Sequence, residues 1–185
     1  MRMLDTPSRR SVLGGMSALL ATTTASCASL KEQKLAEQAE TKLQRLVGGN
    51  EAAARLNAEA KAVLVFPKIT KGGLIVGGLH GKGVLLRGGE PAGYYELTAV
   101  SYGLQAGAQT YASALFFMTD AALAYLDRSG GWSLGSGPSL VVADAGMART
   151  MTTTTVRKDV YAFIYGQQGL MAGLGLEGAK ISRIR

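Results

Sequence analysis

Two hydrophobic periods divide the chain. From Leu30 to Val47, Leu35, Ala39, Leu43 and Leu46 recur at helical spacing, while Lys34, Glu37, Glu40, Lys42 and Arg45 fall elsewhere around the wheel. Gly48-Gly49 ends this helix, and Asn50 caps a second one running through Ala60. The apolar stripe is narrow and carries no aromatic residue, which favours packing on the body over lying in a membrane surface. Beyond Lys61 the period becomes two. "VLVF" (63–66), "LIVGG" (74–78) and "GVLL" (83–86) read as short strands separated by Pro, Gly and Lys. In "SYGLQAGAQ" the side chains alternate, with Tyr102, Leu104, Ala106 and Ala108 on one face and Ser101, Gln105 and Gln109 on the other. "SALFFM" continues as strand, Thr119 caps a helix near 119–128, and "SLVVAD", "RTMTTTTV", "VYAFIYG" and "LMAGLGLEGAKISRI" supply four further strands.

Together these elements predict an α+β fold: mainly an antiparallel β barrel or sandwich of short glycine-rich strands, with N-terminal helices as a cover and one further helix near 119–128. A parallel crossover topology would need a helix between most strands, and only the 119–128 segment offers one. No internal repeat at a fixed period is present.

The glycine-rich stretch "KITKGGLIVGGLHGKGVLL" (68–86) invites a nucleotide reading, which its spacing refuses. A P-loop ending at Gly81-Lys82 would begin at Val76 and close on Gly83 in place of a hydroxyl. The dinucleotide fingerprint also fails, since no long helix follows the glycines. A hairpin is the better account, with "HGKG" (80–83) turning the chain. "GWSLG" (131–135) matches the hydrolase pattern G-x-S-x-G at Ser133, but the chain then turns into a strand, and the sole histidine, His80, lies upstream. Cys27 and His80 are not a ligand pair, and the acids Asp120, Asp127, Asp144 and Asp159 are scattered. The expectation is a protein with no catalytic residues, metal or cofactor.

Composition enters at the N-terminus. "SRRSVLGGMSALLATTTASC" (8–27) has the Arg9-Arg10 pair, an apolar run from Val12 to Ala21 and small residues up to Cys27. The run is too short to span a bilayer, and it resembles a twin-arginine export signal over residues 1–26. Cys27, the one cysteine, stands where a bacterial lipobox places its acylated residue, with Thr24 in place of the usual leucine. Residues 27–49 are then a lipidated start and first helix. The export segment holds Arg2, Arg9, Arg10 and Asp5, so without it the formal charge falls from +7 to +5. A basic surplus of that size fits an anionic partner; nucleic acid is the weaker choice, because no recognition motif appears.

Five blocks in order, "AKAVLVFPKITKGGLIVGGLHGKGVLL", "YGLQAGAQ", "ALFFMTDAALAYL", "GWSLGSGPSLVV" and "YAFIYGQQGLMAGLGLEGAKI", resemble the SYLF family, also called the Ysc84-related domain, over about residues 50–185. The resemblance implies a lipid-binding module: eukaryotic members bind phosphoinositide-containing membranes, some are linked to actin, and bacterial relatives look exported. Carried over by position, it implies Lys61, Lys68, Lys71, Lys82 and Arg87 as lipid contacts. The expected function is a non-enzymatic protein of the cell envelope, on the periplasmic side, anchored through Cys27 and binding anionic phospholipid. The alternative is a structural lipoprotein that holds an envelope protein partner and has no lipid site of its own; Tyr94, Tyr95 or Trp132 would serve such a contact if exposed, and each fits a core or barrel-rim position equally well.

Overall fold

A computed structural model describes residues 21–73, 76–102, 107–128, 130–143, 158–170 and 178–184. The export-signal arginines Arg9 and Arg10 and the expected strand "RTMTTTTV" lie outside the described residues. Two helices, α1 (Ala21–Gly49) and α2 (Glu51–Glu59), precede eight strands. These are β1 (Ala62–Gly73), β2 (Val76–Arg87), β3 (Glu90–Tyr102), β4 (Gly107–Phe117), β5 (Trp132–Ser133), β6 (Leu140–Ala143), β7 (Val160–Leu170) and β8 (Lys180–Arg183), with α3 (Asp120–Ala124) between β4 and β5. Among the described residues no helix is long and apolar enough to cross a membrane.

All eight strands form one sheet in the order β5-β8-β3-β2-β1-β4-β7-β6. It is curled into a half-barrel and is mixed: β6 pairs parallel to β7, while the other ladders are antiparallel. The expected antiparallel barrel or sandwich is corrected accordingly, within a fold that is α+β as expected. The direction of the curl follows from one contact. Trp132 on β5 and Phe117 on β4 stand five strand positions apart in the sheet, about 24 Å if it were flat. Their ring centroids are 5.8 Å apart, so the face that bears them is the inside of the curl.

This inner face carries Leu64, Phe66, Ile69, Leu97, Leu115 and Ile181, closed over by Leu123 and Leu126. The outer face carries Val63, Val65, Val84, Leu86, Phe116 and Phe163 and is covered by Ala39, Leu43 and Leu46 of α1 and Ala53 and Leu56 of α2. Burial on both faces explains why "VLVF" and "ALFF" are unbroken apolar runs, a pattern that strands with one wet face lack. The helix ends follow the sequence. The Asn50 side chain accepts from Ala53 N at 3.0 Å, and Thr119 Oγ1 accepts from Ala122 N at 3.2 Å.

The strands are longer than their apolar blocks, and "HGKG" does not turn the chain: His80 to Gly83 lie in the middle of β2. Gly83 is there for a neighbour, because a Cβ would sit 2.6 Å from Phe66 Cδ1 and 2.8 Å from the Val65 carbonyl oxygen. The turn that the glycines do make is at Gly88-Gly89, with φ of 61° and 90°, a two-residue type I′ loop joining Arg87 to its partner Glu90. "SYGLQAGAQ" is likewise two strands, β3 ending at Tyr102 and β4 beginning at Gly107.

A polar latch ties the far strands to α3. Asp159 Oδ2 accepts from Ser139 N at 2.9 Å and from Ser139 Oγ at 2.8 Å, and Asp159 N donates to Ser139 Oγ at 2.9 Å. The backbone donor at Ser139, aided by its hydroxyl and by Thr119, holds the Asp159 carboxyl below the usual carboxylate range.

Two outcomes follow from this packing. Gly83→Ala lowers the unfolding free energy by about 1–3 kcal/mol in a urea titration, since the Val65 carbonyl cannot move aside. The depressed Asp159 pKa adds stability at pH values above its unfolded pKa of about 4, and that stability disappears as pH falls through the folded pKa. Asp159→Asn is therefore less stable than the parent at pH 7, and melting curves of the two converge in acid.

Candidate functional site

Three strands and one helix shape an open groove on the described surface, and two backbone irregularities border it. β1 carries one extra residue around Pro67, seen in the register shift from Val65↔Val84 to Lys68↔Lys82 and again against β4. Proline suits this place because it has no N–H to give to a ladder. β7 carries its own extra residue beside Gly166, where Thr110↔Gln168 is followed by Ala112↔Tyr165. β4 runs regular between the two bulges. Over this region lies one side of α1, bearing Glu37, Gln38, Thr41 and Lys42 at positions that share a helix face.

The result is an open groove of about 560 Å³ between α1 and the outer face of the sheet. Pro67 and Lys68 form one wall, Thr110 and Ala112 belong to the strand between, and Gly166 and Gln168 stand opposite. Two basic residues and one acidic one, Lys42, Lys68 and Glu37, are among those that line it. Among the described residues none of the three is held in an ion pair.

The five basic residues inferred from the sequence do not form one patch. Lys68 and Lys82 are directly opposite each other on adjacent strands and lie on the outer face, where Val84 and Leu86 continue the same side of β2. Both are exposed. Lys71 is half-buried and, two residues beyond Ile69, lies on the inner face. Lys61 and Arg87 are exposed at the other end of the sheet; Arg87 is five residues from Lys82, about 17 Å along the strand. His80 Nδ1 and Glu96 Oε1 are 3.6 Å apart, and Glu96 is the cross-strand partner of Lys82, so an acid borders the pair. Cys27 falls within α1, near its start.

Lys42 is the groove residue that the sequence reading left on a solvated helix face. The pairs Glu37-Gln38 and Thr41-Lys42, one turn apart, are the local signal for a polar helix edge, but only the fold brings that edge to Lys68. A second set was also missed. Gln109, Tyr111 and Ser113 occupy successive inward positions of β4, with Gln109 on the buried side where the alternation had placed it opposite. Gln109 Oε1, Tyr111 Oη and Ser113 Oγ are buried without hydrogen-bond partners among the described residues, and burial pushes the Tyr111 pKa up to about 12. Tyr95 and Trp132, which fit either a partner contact or a core position, are core residues, each 1% exposed; Trp132 Nε1 donates to Ser136 O at 2.8 Å. Ser133 stands in the two-residue β5, and the chain after it turns at Ser136 and leads into β6, with no helix following.

The sheet is thus filled by its own side chains within and crossed outside by a helix that leaves a charged groove. Residues 98–184 match the family model Ysc84, described as Las17-binding protein actin regulator. Over that span the chain matches the Ysc84 (SYLF) domain that its sequence blocks resemble. No curated protein matches the chain. The matched span supplies Thr110, Ala112, Gly166 and Gln168 to the groove, while α1 and β1, which complete it, precede that span, β1 in the same sheet.

The unpartnered hydroxyls make their own forecast. Tyr111→Phe and Ser113→Ala remove buried groups that make no hydrogen bond, so each leaves stability unchanged or raises it by up to about 1 kcal/mol. Chemical denaturation checks this, against the usual loss on altering a core position.

Proposed function

We propose that this SYLF-type chain is an exported, lipid-anchored, non-enzymatic protein that binds anionic phospholipid head groups, with Lys42 and Lys68 in the groove and Lys82 beside them as the principal contacts. The observation that carries the reading is that Lys42 of α1 and Lys68 of β1 line one groove. Cations with no internal partner are available to a phosphate, and an open groove on the outer face admits a head group still attached to its membrane. The twin-arginine-like segment and Cys27 support a place on the periplasmic side of a bacterial envelope, with acyl chains on the cysteine as the anchor. Lys61, Lys71 and Arg87 are secondary contacts in this proposal, since they stand away from the groove.

A second reading has its own support. The family model is described by a protein that it binds, Las17, and an envelope protein could occupy the same groove. Tyr94, half-buried, is the one aromatic of the three named above that such a partner could reach. Salt separates the readings: charge-driven lipid contact fades as ionic strength rises, whereas a packed protein interface persists.

The test is vesicle flotation of the full chain carrying Cys27→Ser, which removes the acylation site. Anionic vesicles bind it at low salt and release it at high salt, and neutral phosphatidylcholine vesicles do not bind. The double variant Lys42→Ala with Lys68→Ala binds about thirtyfold more weakly, from about 1 kcal/mol for each cation near an anionic surface. The pair Lys61→Ala with Arg87→Ala has a smaller effect. Flotation that ignores both surface charge and Lys42 would sink the proposal.

A further inference from the structure

The groove holds a carboxylate as well as two ammonium groups, and that mixture narrows its ligand. A purely anionic head group would satisfy Lys42 and Lys68 but would stand beside Glu37, losing part of the attraction and leaving an acid partly desolvated without a partner. A head group that carries a primary ammonium next to its phosphate satisfies all three. The phosphate faces Lys42 and Lys68, and the ammonium, with three N–H donors, faces Glu37. Side-chain amides from Gln38 and Gln168 and hydroxyls from Thr41 and Thr110 line the same space and serve the remaining donors and acceptors. Glu37 and Lys42 are five residues apart on α1, about 7.5 Å along its axis, so their charges are spread along the groove and do not oppose one another at one point.

We infer that the groove is selective for a phosphodiester bearing a primary ammonium, the chemistry of an ethanolamine head group, with Glu37 as the selecting residue. This inference rests on the lipid-binding reading above and refines it: anionic lipid draws the basic domain to the surface, and the groove then takes a zwitterionic head group by its phosphate and its ammonium. A choline head group has the same net charge but a quaternary nitrogen with no N–H, so it cannot donate to Glu37. A glycerol head group has no cation. The same chemistry exists on a lipid and on its soluble deacylated form, glycerophosphoethanolamine.

The experiment uses the full chain with Cys27→Ser and two vesicle types that share one fraction of phosphatidylglycerol, the remainder being phosphatidylethanolamine in one and phosphatidylcholine in the other. Surface charge is then equal. Binding is about fivefold tighter to the ethanolamine vesicles, the factor that one exposed ion pair supplies. Glu37→Gln keeps the shape of the side chain and removes this difference. Soluble glycerophosphoethanolamine competes with the vesicles and glycerophosphocholine does not. Direct calorimetric binding of the soluble compound would show that the groove also takes the free head group, whereas competition too weak for calorimetry would assign selectivity to the membrane-bound form; both support the inference. Equal binding of the parent chain to the two vesicle types overturns it and leaves the lipid reading standing, as does an ethanolamine preference that survives Glu37→Gln, which then belongs to bilayer packing. Absence of binding to every anionic vesicle overturns the lipid reading itself.

Discussion

One extra residue at Pro67 decides which face every later side chain of β1 occupies. Before it, Leu64 and Phe66 face inward and Val63 and Val65 face outward; after it, Ile69 faces inward and Lys68 stands outside opposite Lys82. A strand without the bulge would send Ile69 to the outer face and a lysine into the core, because a shift of one residue exchanges the two faces. The bulge lets an apolar interior continue along β1 while a cation is delivered to the surface beneath α1. The matching extra residue in β7 does the same service on the far side of β4, and the groove lies between the two irregularities.

Around this arrangement the energetics are those of a sheet buried on both faces. β1 and β4, at the centre, have almost no exposed apolar side chain, and each large one is worth about 1.5–3 kcal/mol in burial. That reserve is what allows three polar side chains on β4 to remain unpartnered at the inner face. The edges are held differently. β5 and β8 are short and depend on the Trp132 contact with Phe117, and β6 depends on the Asp159–Ser139 latch. Polar, local interactions thus fix the periphery, and apolar contacts fix the middle.

What could be read from the sequence divides along the same line. Asn50 and Thr119 were legible as helix caps because capping is chemistry between neighbours in the chain. The role of Gly83 was not, since the reason for it is Phe66, a residue far back in sequence and adjacent only across the ladder. Read locally, glycines beside a histidine and a lysine look like a turn; read across the strands, they are the space that two core side chains need. Gln109 misled for a similar reason. Polar alternation normally marks the wet face, and here it marks the inner one, because the outer face at this point borders a groove. The family resemblance was legible from ordered blocks that span several strands, which carry non-local information that single periodicities lack.

The proposed anchor and groove would contribute to membrane attachment on different scales, and this sets what each can decide. Two acyl chains on Cys27, at about 0.8 kcal/mol per buried CH₂, outweigh several lysines at about 1 kcal/mol each. Affinity for the bilayer as such would therefore belong to the cysteine. Once the chain is tethered, the groove acts at high local head-group concentration, where a contact too weak to recruit the protein alone can still be occupied. Its influence would then fall on which head groups gather beside the domain and on how the domain is turned. In that setting a carboxylate among lysines is an advantage, because discrimination between head groups depends on what a site repels as much as on what it holds.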